Sequence, residues 1–293
     1  MIKRTIEISG EQTYLSVHNG QLVIKREGLE VGRVPCEDIG LLILDSKATS
    51  YTHTALVEPL RHDAVIVLCG DNHHPAAFVL PVAANSLQTE RLRRQAEAKK
   101  PLAKKLWKHI VQAKIANQAA VLEDAEPAAR MRALIASVRS GDPANVEARA
   151  ARIYWPALFG DAGFRRDPEG GPPNNLLNYG YMVLRASMAR AICGSGLHPS
   201  LGLQHHNRYN PFCLADDLLE PYRPWVDGRV RELHVAGIRA IDRNVKHRLL
   251  EVLTDSVRVS GEAGPIMVAM QKTAASLGQC YAGEGEELAL PES

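Results

Sequence analysis

The chain has 293 residues, of which 45% are hydrophobic and 23% charged, and its formal net charge is +2. This is the composition of a soluble globular protein with a sizeable core, and so small a net charge does not by itself indicate a polyanionic partner. No run of about 18 apolar residues occurs, so we expect no membrane span, and scattered cysteines without metal-type spacing favour a cytoplasmic location.

The first 84 residues have the two-residue period of β-strands. Thr13, Leu15 and Val17 alternate with polar neighbours, and the Asn19-Gly20 pair that follows is typical of a tight hairpin turn. Apolar runs predict further strands at 40–44, 64–68 and 76–80, with a short helix at about 52–62 between them. We therefore predict a β-rich, β-sandwich-like domain over residues 1–84.

From residue 85 onward the pattern becomes helical. Pro101 is typical of a first helical turn, Gly141 of a helix end, and Asp142-Pro143 of a cap followed by a first turn. Helices are predicted at about 86–100, 101–122, 126–139, 143–160, 174–193, 213–220, 224–237, 241–254 and 264–280, with a loop at 161–173. The fold class predicted is α+β, a β-rich domain followed by a larger all-α domain over residues 85–293.

A basic stretch lies at the start of the helical part. Nine basic residues occur between Arg91 and Lys114, against the single acidic Glu97. Such a helical stretch can neutralise phosphates and give salt-sensitive, sequence-independent binding, but it is also what a solvated helix face looks like. Charge alone leaves both interpretations open; the candidates for DNA binding are Arg91, Arg93, Arg94, Lys104 and Lys105.

Glu147 is the first candidate for chemistry. At 100° per residue it lines up with Ala151, Tyr154 and Leu158 rather than with the polar side of its predicted helix. A carboxylate on an apolar arc needs compensation, and a bound cation is one way to supply it. The alternative is a favourable interaction of Glu147 with the dipole of the first helical turn.

A second candidate is the acidic side of the predicted helix at 213–220. Asp216, Asp217 and Glu220 lie opposite Leu214 and Leu218, and acidic residues at this spacing can jointly hold a divalent cation. Amphipathic helices also commonly turn acidic residues to solvent.

His205-His206 precedes that helix in a loop marked by Gly and Pro. A histidine near a carboxylate cluster can complete a nitrogen-and-oxygen site for Mg²⁺ or Mn²⁺, although most loop histidines do not.

In combination, these elements carry a recognisable signature. The segment 196–206 has the sequence GLHPSLGLQHH, and 214–224 has LADDLLEPYRP. Upstream, 145–155 has NVEARAARIYW and 175–181 has NLLNYGY. These four ordered elements resemble the motifs of the CRISPR-associated spacer-acquisition integrase and endonuclease family, most of all members that accompany type II effector systems. The resemblance extends over the whole chain.

The resemblance implies a site. It assigns metal binding and catalysis to Glu147, His205 and Glu220, with Asp217 as a fourth candidate ligand and Mg²⁺ or Mn²⁺ as the ion. It places His206 and Asp216 next to the ligands without making them ligands. On weaker grounds it puts Asn178 and Tyr179 along the same cleft.

The resemblance also implies an activity and partners. The family joins the 3′-hydroxyl ends of a short prespacer duplex to the boundaries of a CRISPR repeat by transesterification. Its members act on double-stranded DNA as homodimers, bridged by a smaller CRISPR adaptation partner protein, with the β domain serving dimerisation.

Two other functions stay open. The same ligands would serve a metal-dependent nuclease that cleaves branched DNA or RNA without integration. A non-catalytic DNA-binding scaffold would need a broken ligand set, whereas Glu147, His205 and Glu220 are all present.

Overall fold

The computed structural model describes residues 3–70, 75–82 and 84–292. Its N-terminal part contains two four-stranded sheets, ordered β1-β5-β7-β8 and β4-β3-β2-β6. The elements are β1 (Arg4–Ser9), β2 (Thr13–His18), β3 (Gln21–Arg26), β4 (Leu29–Pro35), β5 (Ile39–Asp45), β6 (Thr49–Tyr51), α1 (His53–Arg61), β7 (Val65–Cys69) and β8 (Pro75–Val79).

The two sheets share a core, as a sandwich requires. Leu15 and Leu22 from one sheet and Leu42 and Ile66 from the other belong to one buried apolar cluster. The predicted hairpin is confirmed: β2 pairs antiparallel with β3, and Asn19 and Gly20 both have positive φ, as a tight hairpin turn needs. The sequence interpretation missed β4 and β6.

The second face of the first sheet packs against helices. Leu41, Ile43, Val65 and Val67 are fully buried in a core formed mainly by helical residues. Strands β5 and β7 are thus covered on both faces, which explains their continuous apolar sequence. The change from strand to helix falls between Val79 and Gln88, near the predicted boundary. The division into two domains stays a prediction.

The helical part follows the predicted order with shifted ends. The helices are α2 (Gln88–Ala96), α3 (Lys100–Val121), α4 (Ala125–Ile135), α5 (Val146–Phe159), α6 (Asn174–Gly194), α7 (Cys213–Leu219), α8 (Arg223–Val235), α9 (Arg243–Leu250) and α10 (Ile266–Ala282). Helix α6 is buried along most of its length and approaches α8 closely at Gly180, where a Cβ atom would lie 2.4 Å from Val226 Cγ1. Within the described residues, no helix is long and apolar enough to cross a membrane.

The prediction of an all-α second part is wrong in one region. A small sheet of order β10-β9-β11 contains β9 (Ser256–Val259), β10 (Glu262–Pro265) and β11 (Pro291–Glu292). Ser260 and Gly261, both with positive φ, form the turn between β9 and β10. The predicted helix at 264–280 therefore begins later, at Ile266, because the residues before it pair as a strand.

Candidate metal centre

Glu147 is placed by the first turn of α5. The helix begins at Val146 rather than at Pro143, because Asp142 and Asn145 have left-handed backbone conformations. Asp142 still acts as a cap, and its two carboxylate oxygens accept from the backbone N–H groups of Val146 (2.9 Å) and Glu147 (3.0 Å). The Glu147 side chain is 27% exposed, which leaves its carboxylate at the surface of the core.

Glu220 comes from a different part of the chain. It begins the 3₁₀ turn Glu220–Tyr222 between α7 and α8, and its side chain is buried. Arg223, one turn later, places its Nε 2.9 Å from Glu220 Oε1. Burial favours the neutral acid, but Arg223 and Lys114 outweigh it and lower the pKa of Glu220 to about 2. Glu220 is therefore an anion held inside the protein.

Lys114 links the two carboxylates. From helix α3 its Nζ lies 2.6 Å from Glu147 Oε1 and 2.6 Å from Glu220 Oε2. Burial alone would lower the pKa of Lys114, but the two carboxylates raise it above its usual value. Because Glu147 Oε1 and Glu220 Oε2 each lie 2.6 Å from the same nitrogen, the distance between these two oxygens is at most twice 2.6 Å. The structure thus brings two of the three predicted ligands together.

Sequence analysis did not single out Lys114. Lys114 is the last of the nine basic residues in the basic stretch, and its charge alone does not distinguish it from the other eight. The overlooked signal is its place on the helix, because Ile110, Gln118 and Val111, at spacings of three and four residues, are all buried. A lysine on a buried stripe needs an anionic partner, by the argument applied to Glu147.

His205 is fixed by Asp217. The fully buried Asp217 accepts from the backbone N–H groups of Leu203 (2.6 Å), Gln204 (2.9 Å) and His205 (3.3 Å), and His205 Nδ1 lies 2.5 Å from its Oδ1. That hydrogen bond raises the pKa of His205. When Nδ1 carries the proton donated to Asp217, Nε2 presents its lone pair to a metal ion. Gly202 permits the loop, since a Cβ there would lie 2.3 Å from the carbonyl oxygen of His205.

Binding of the metal by Asp217 as a fourth ligand stays a prediction. Both of its oxygens accept from N–H groups of the 203–205 loop, and through these bonds it orients the histidine. Asp216 is also occupied: Arg185 binds both of its oxygens, at 2.6 and 3.0 Å, and Asn210 donates to Oδ2 at 2.7 Å. His206 is exposed, but so is His205, so exposure does not distinguish the two histidines.

The donor set fits a hard divalent ion. It comprises two carboxylates and one imidazole, a combination compatible with Mg²⁺ and Mn²⁺. Glu220 Oε2 is buried without a partner of good hydrogen-bond geometry, although Lys114 Nζ is close. The charge of Glu220 is near enough to raise the pKa of His205. As the side chains are placed, however, no group of three or more acidic, histidine or cysteine residues in the described part of the chain forms a metal-ready cluster. Joint binding by Glu147, His205 and Glu220 stays a prediction.

A buried polar cluster around Asp227 connects the helices near the site. Asp227 is fully buried in α8 and accepts from the hydroxyls of Tyr154, at 2.9 Å, and Tyr181. Burial raises the pKa of Asp227 to about 6, although both hydroxyls favour its charged form. Because Tyr154 belongs to the helix of Glu147 and Arg223 stacks over Tyr181 at 4.3 Å, the cluster ties α5, α6 and α8 together.

Of the two residues placed along the cleft on weaker grounds, Asn178 lines a cavity together with Asp216 and Arg223, whereas Tyr179 lies elsewhere. Tyr179 is buried, with Lys246 5.9 Å from its ring centre and the charge of Glu7 acting on its hydroxyl. Asn178 donates to the carbonyl of Pro168 at 2.7 Å and accepts from Arg166. The prediction for Tyr179 is wrong because its side of α6 faces β-strand residues.

The candidate DNA-binding residues fall into two groups. Three are engaged within the protein: Arg91 donates to the Ser195 carbonyl at 2.8 Å, Arg94 pairs with Glu90 at 2.6 Å, and Lys105 pairs with Glu286 at 3.4 Å. Arg93 and Lys104 are exposed. Lys104 also lines a cleft of about 950 Å³ next to the histidine loop, together with Lys100, His206, Arg208 and Tyr209.

The chain is similar to known proteins over most of its length. The family described as "CRISPR associated protein Cas1" matches residues 6–242. The chain is 37% identical over 284 residues to a CRISPR-associated endonuclease Cas1 of Neisseria meningitidis serogroup C (strain 8013), covering 95% of this chain and 92% of that protein. It is 31% identical over 263 residues to one of Pyrobaculum aerophilum, covering 82% and 86%.

Solved structures share the fold at low sequence identity. A casposase bound to integration product has a TM-score of 0.80 and 20% identity, covering 98% of this chain and 92% of the other. A Cas6-RT-Cas1–Cas2 complex has a TM-score of 0.75 and 16% identity, covering 97% of this chain and 35% of the matched one. At these identities the likeness concerns the fold alone.

Proposed function

The chain belongs to the Cas1 family, and from that premise we propose that it is a metal-dependent DNA integrase and endonuclease of CRISPR adaptation. It would join the 3′-hydroxyl ends of a short prespacer duplex to the boundaries of a CRISPR repeat by transesterification. The observation that carries the proposal is the meeting of Glu147, from α5, and Glu220, from the turn after α7, at the ammonium group of Lys114.

The ligand chemistry supports this reaction class. Glu147, Glu220 and Nε2 of His205 would hold Mg²⁺ or Mn²⁺, with Asp217 keeping the imidazole oriented. When bound, the ion would favour the deprotonated 3′-hydroxyl and neutralise charge on the phosphorus being attacked. Arg223 keeps Glu220 ionised and fixes its direction. Asp217 favours the proton on Nδ1 of His205, and so leaves the other ring nitrogen free.

Surface charge supports a DNA substrate. The cleft beside the histidine loop carries Lys100, Lys104 and Arg208, which can contact phosphates without reading sequence. Arg93 is a further exposed cation on α2. The relatives named endonucleases and the fold shared with a casposase bound to integration product are consistent with this substrate.

Assembly belongs to the same proposal. Residues 1–84 would form a homodimer interface, and a smaller CRISPR adaptation protein would bridge two dimers on one DNA duplex. The fold shared with a Cas6-RT-Cas1–Cas2 complex supports a partnered assembly. A dimer would supply two sites for the two ends of a duplex.

The test is a strand-transfer assay with a labelled prespacer duplex and a supercoiled plasmid carrying a CRISPR repeat, in Mg²⁺ or Mn²⁺ and with the bridging partner. We expect joined product from the wild type and from Glu97→Gln, a control at an exposed carboxylate, and none from Glu147→Gln or Glu220→Gln. Cleavage of branched DNA or RNA without joining would favour the alternative of a nuclease alone. Full joining by both site variants would contradict the proposed metal centre.

A further inference from the structure

Four charges meet at the candidate metal centre. Lys114 Nζ lies 2.6 Å from each of Glu147 Oε1 and Glu220 Oε2, and Arg223 Nε lies 2.9 Å from the other oxygen of Glu220. Two carboxylates and two cations balance, so the cluster is neutral. Its members are largely shielded from water, with 13% exposure for the Lys114 side chain and 7% for Glu220.

Arg223 and Lys114 differ in where they bind. Arg223 holds Glu220 from one side only, and its guanidinium also stacks over Tyr181, so α8 and the ring fix its position. Lys114 stands between the two carboxylates, in contact with the very oxygens that face each other. Its side chain is a flexible chain of four methylenes that ends in a compact charge.

Arg223 already holds Oε1 of Glu220, so a divalent ion shared by Glu147 and Glu220 would bind Oε2 of Glu220, the oxygen that Lys114 contacts, and would lie between the two carboxylates where the ammonium now lies. Metal–oxygen bonds to Mg²⁺ are about 2.0–2.1 Å, and each oxygen now lies within contact distance of the ammonium. The ion and the ammonium cannot both hold this pair of oxygens. The gap between the carboxylates therefore accepts one cation at a time.

We propose that Lys114 is a built-in competitor of the divalent ion: it neutralises Glu147 and Glu220 in the metal-free protein and leaves them when the metal binds. This inference rests on the proposed metal centre. It accounts for two carboxylates lying together in a buried place, and for their failure to form a metal-ready cluster with His205 in the described part of the chain. Lys114 thereby sets the metal affinity without being a ligand.

Removal of the competitor should strengthen metal binding. We would titrate Mn²⁺ into the full-length protein by isothermal calorimetry, with electron paramagnetic resonance of free Mn²⁺ as a second readout. For Lys114→Met, which keeps the length and apolar stem of the side chain, we expect Mn²⁺ to bind at least about tenfold more tightly than to the wild type. That factor corresponds to the removal of one charge-assisted hydrogen bond.

Two variants control for other effects of the substitution. Lys114→Arg keeps a cation between the carboxylates and should show no gain in affinity. Lys108→Met removes a partly exposed lysine from the same helix, outside the proposed DNA-binding residues, and should bind Mn²⁺ like the wild type. Thermal unfolding gives an independent measure. Without metal, Lys114→Met should have a lower melting temperature than the wild type, and saturating Mn²⁺ should raise the melting temperature of Lys114→Met by more than it raises that of the wild type.

The outcomes separate this inference from the proposed function. If wild-type binding is abolished in Glu147→Gln while Lys114→Met binds no more tightly than the wild type, the metal centre stands and the role of Lys114 is refuted. If neither the wild type nor Lys114→Met binds Mn²⁺, both proposals fail. Tighter binding by Lys114→Met but not by Lys114→Arg supports them together.

Discussion

Asp217 offers a sharp test of how the site is held. It is fully buried, and its two oxygens accept from three backbone N–H groups and from the ring of His205. Asp217→Asn replaces one acceptor oxygen by an NH₂ group, which then faces N–H donors that have no other partner. An unsatisfied buried donor costs about 1–3 kcal/mol, and the hydrogen bonds removed are charge-assisted.

We therefore expect Asp217→Asn to lower the free energy of unfolding by about 2–4 kcal/mol. For a chain of this size, that corresponds to a fall in melting temperature of about 3–7 °C. Urea denaturation followed by circular dichroism gives the free energy, and differential scanning calorimetry gives the temperature.

His205→Ala is the matched control, because it removes only one half-exposed partner of Asp217 and should cost less than about 1 kcal/mol. The account of Asp217 is refuted if the free energy of unfolding of Asp217→Asn lies within about 0.5 kcal/mol of the wild-type value. It is also refuted if His205→Ala lowers that free energy as much as Asp217→Asn does.

Three further predictions follow from the site and its surroundings. His205→Ala should abolish strand transfer while DNA binding persists, and His206→Ala should stay active; the reverse pattern in a strand-transfer assay would move the ligand by one residue. Replacing exposed Arg93 and Lys104 by Ala should reduce the slope of log DNA affinity against log salt concentration by about 0.9 for each duplex phosphate that the protein no longer neutralises. Replacing the paired Arg94 and Lys105 should reduce that slope less. Equal reductions in a fluorescence titration would refute the distinction between exposed and paired cations. Because burial raises the pKa of Asp227 to about 6, its protonation stabilises the fold fully below about pH 4, and that contribution disappears as the pH rises through about 6. The free energy of unfolding of the wild type should show this pH dependence, and that of Asp227→Asn should not. Identical pH profiles for the two proteins would show that the pKa of Asp227 is not raised.

The sequence pattern predicted most of the elements and failed where local rules were weak. Strand β4 alternates exposed Leu29 and Val31 with charged residues and contains Gly32, so it lacks the apolar run that marked β5 and β7. The β9–β10 hairpin falls largely in the gap between the helices predicted at 241–254 and 264–280, and only its last two residues were predicted as helix. Ser260-Gly261 is nevertheless a turn signal of the kind that identified the first hairpin.

The site divides in a similar way. Glu147 and Glu220 were singled out from helix position and from the family resemblance, and both lie at the same cluster. Lys114 and Asp217 show what a sequence cannot supply, since their roles depend on which side chains other helices bring to them. The Lys114 ammonium lies between two carboxylates only after the chain has folded. The same holds for the carboxylate of Asp217, which accepts hydrogen bonds from backbone N–H groups only in the folded chain.

The central claim is that Glu147, Glu220 and His205 bind one divalent ion. The most direct measurement is anomalous diffraction at the manganese edge from crystals of the full-length protein grown with Mn²⁺. The account predicts one peak per chain, bonded to both carboxylates and to Nε2 of His205, with Lys114 Nζ withdrawn from Glu147 and Glu220. A peak at Asp216 or Asp217, or none between Glu147 and Glu220 at saturating Mn²⁺, would contradict it.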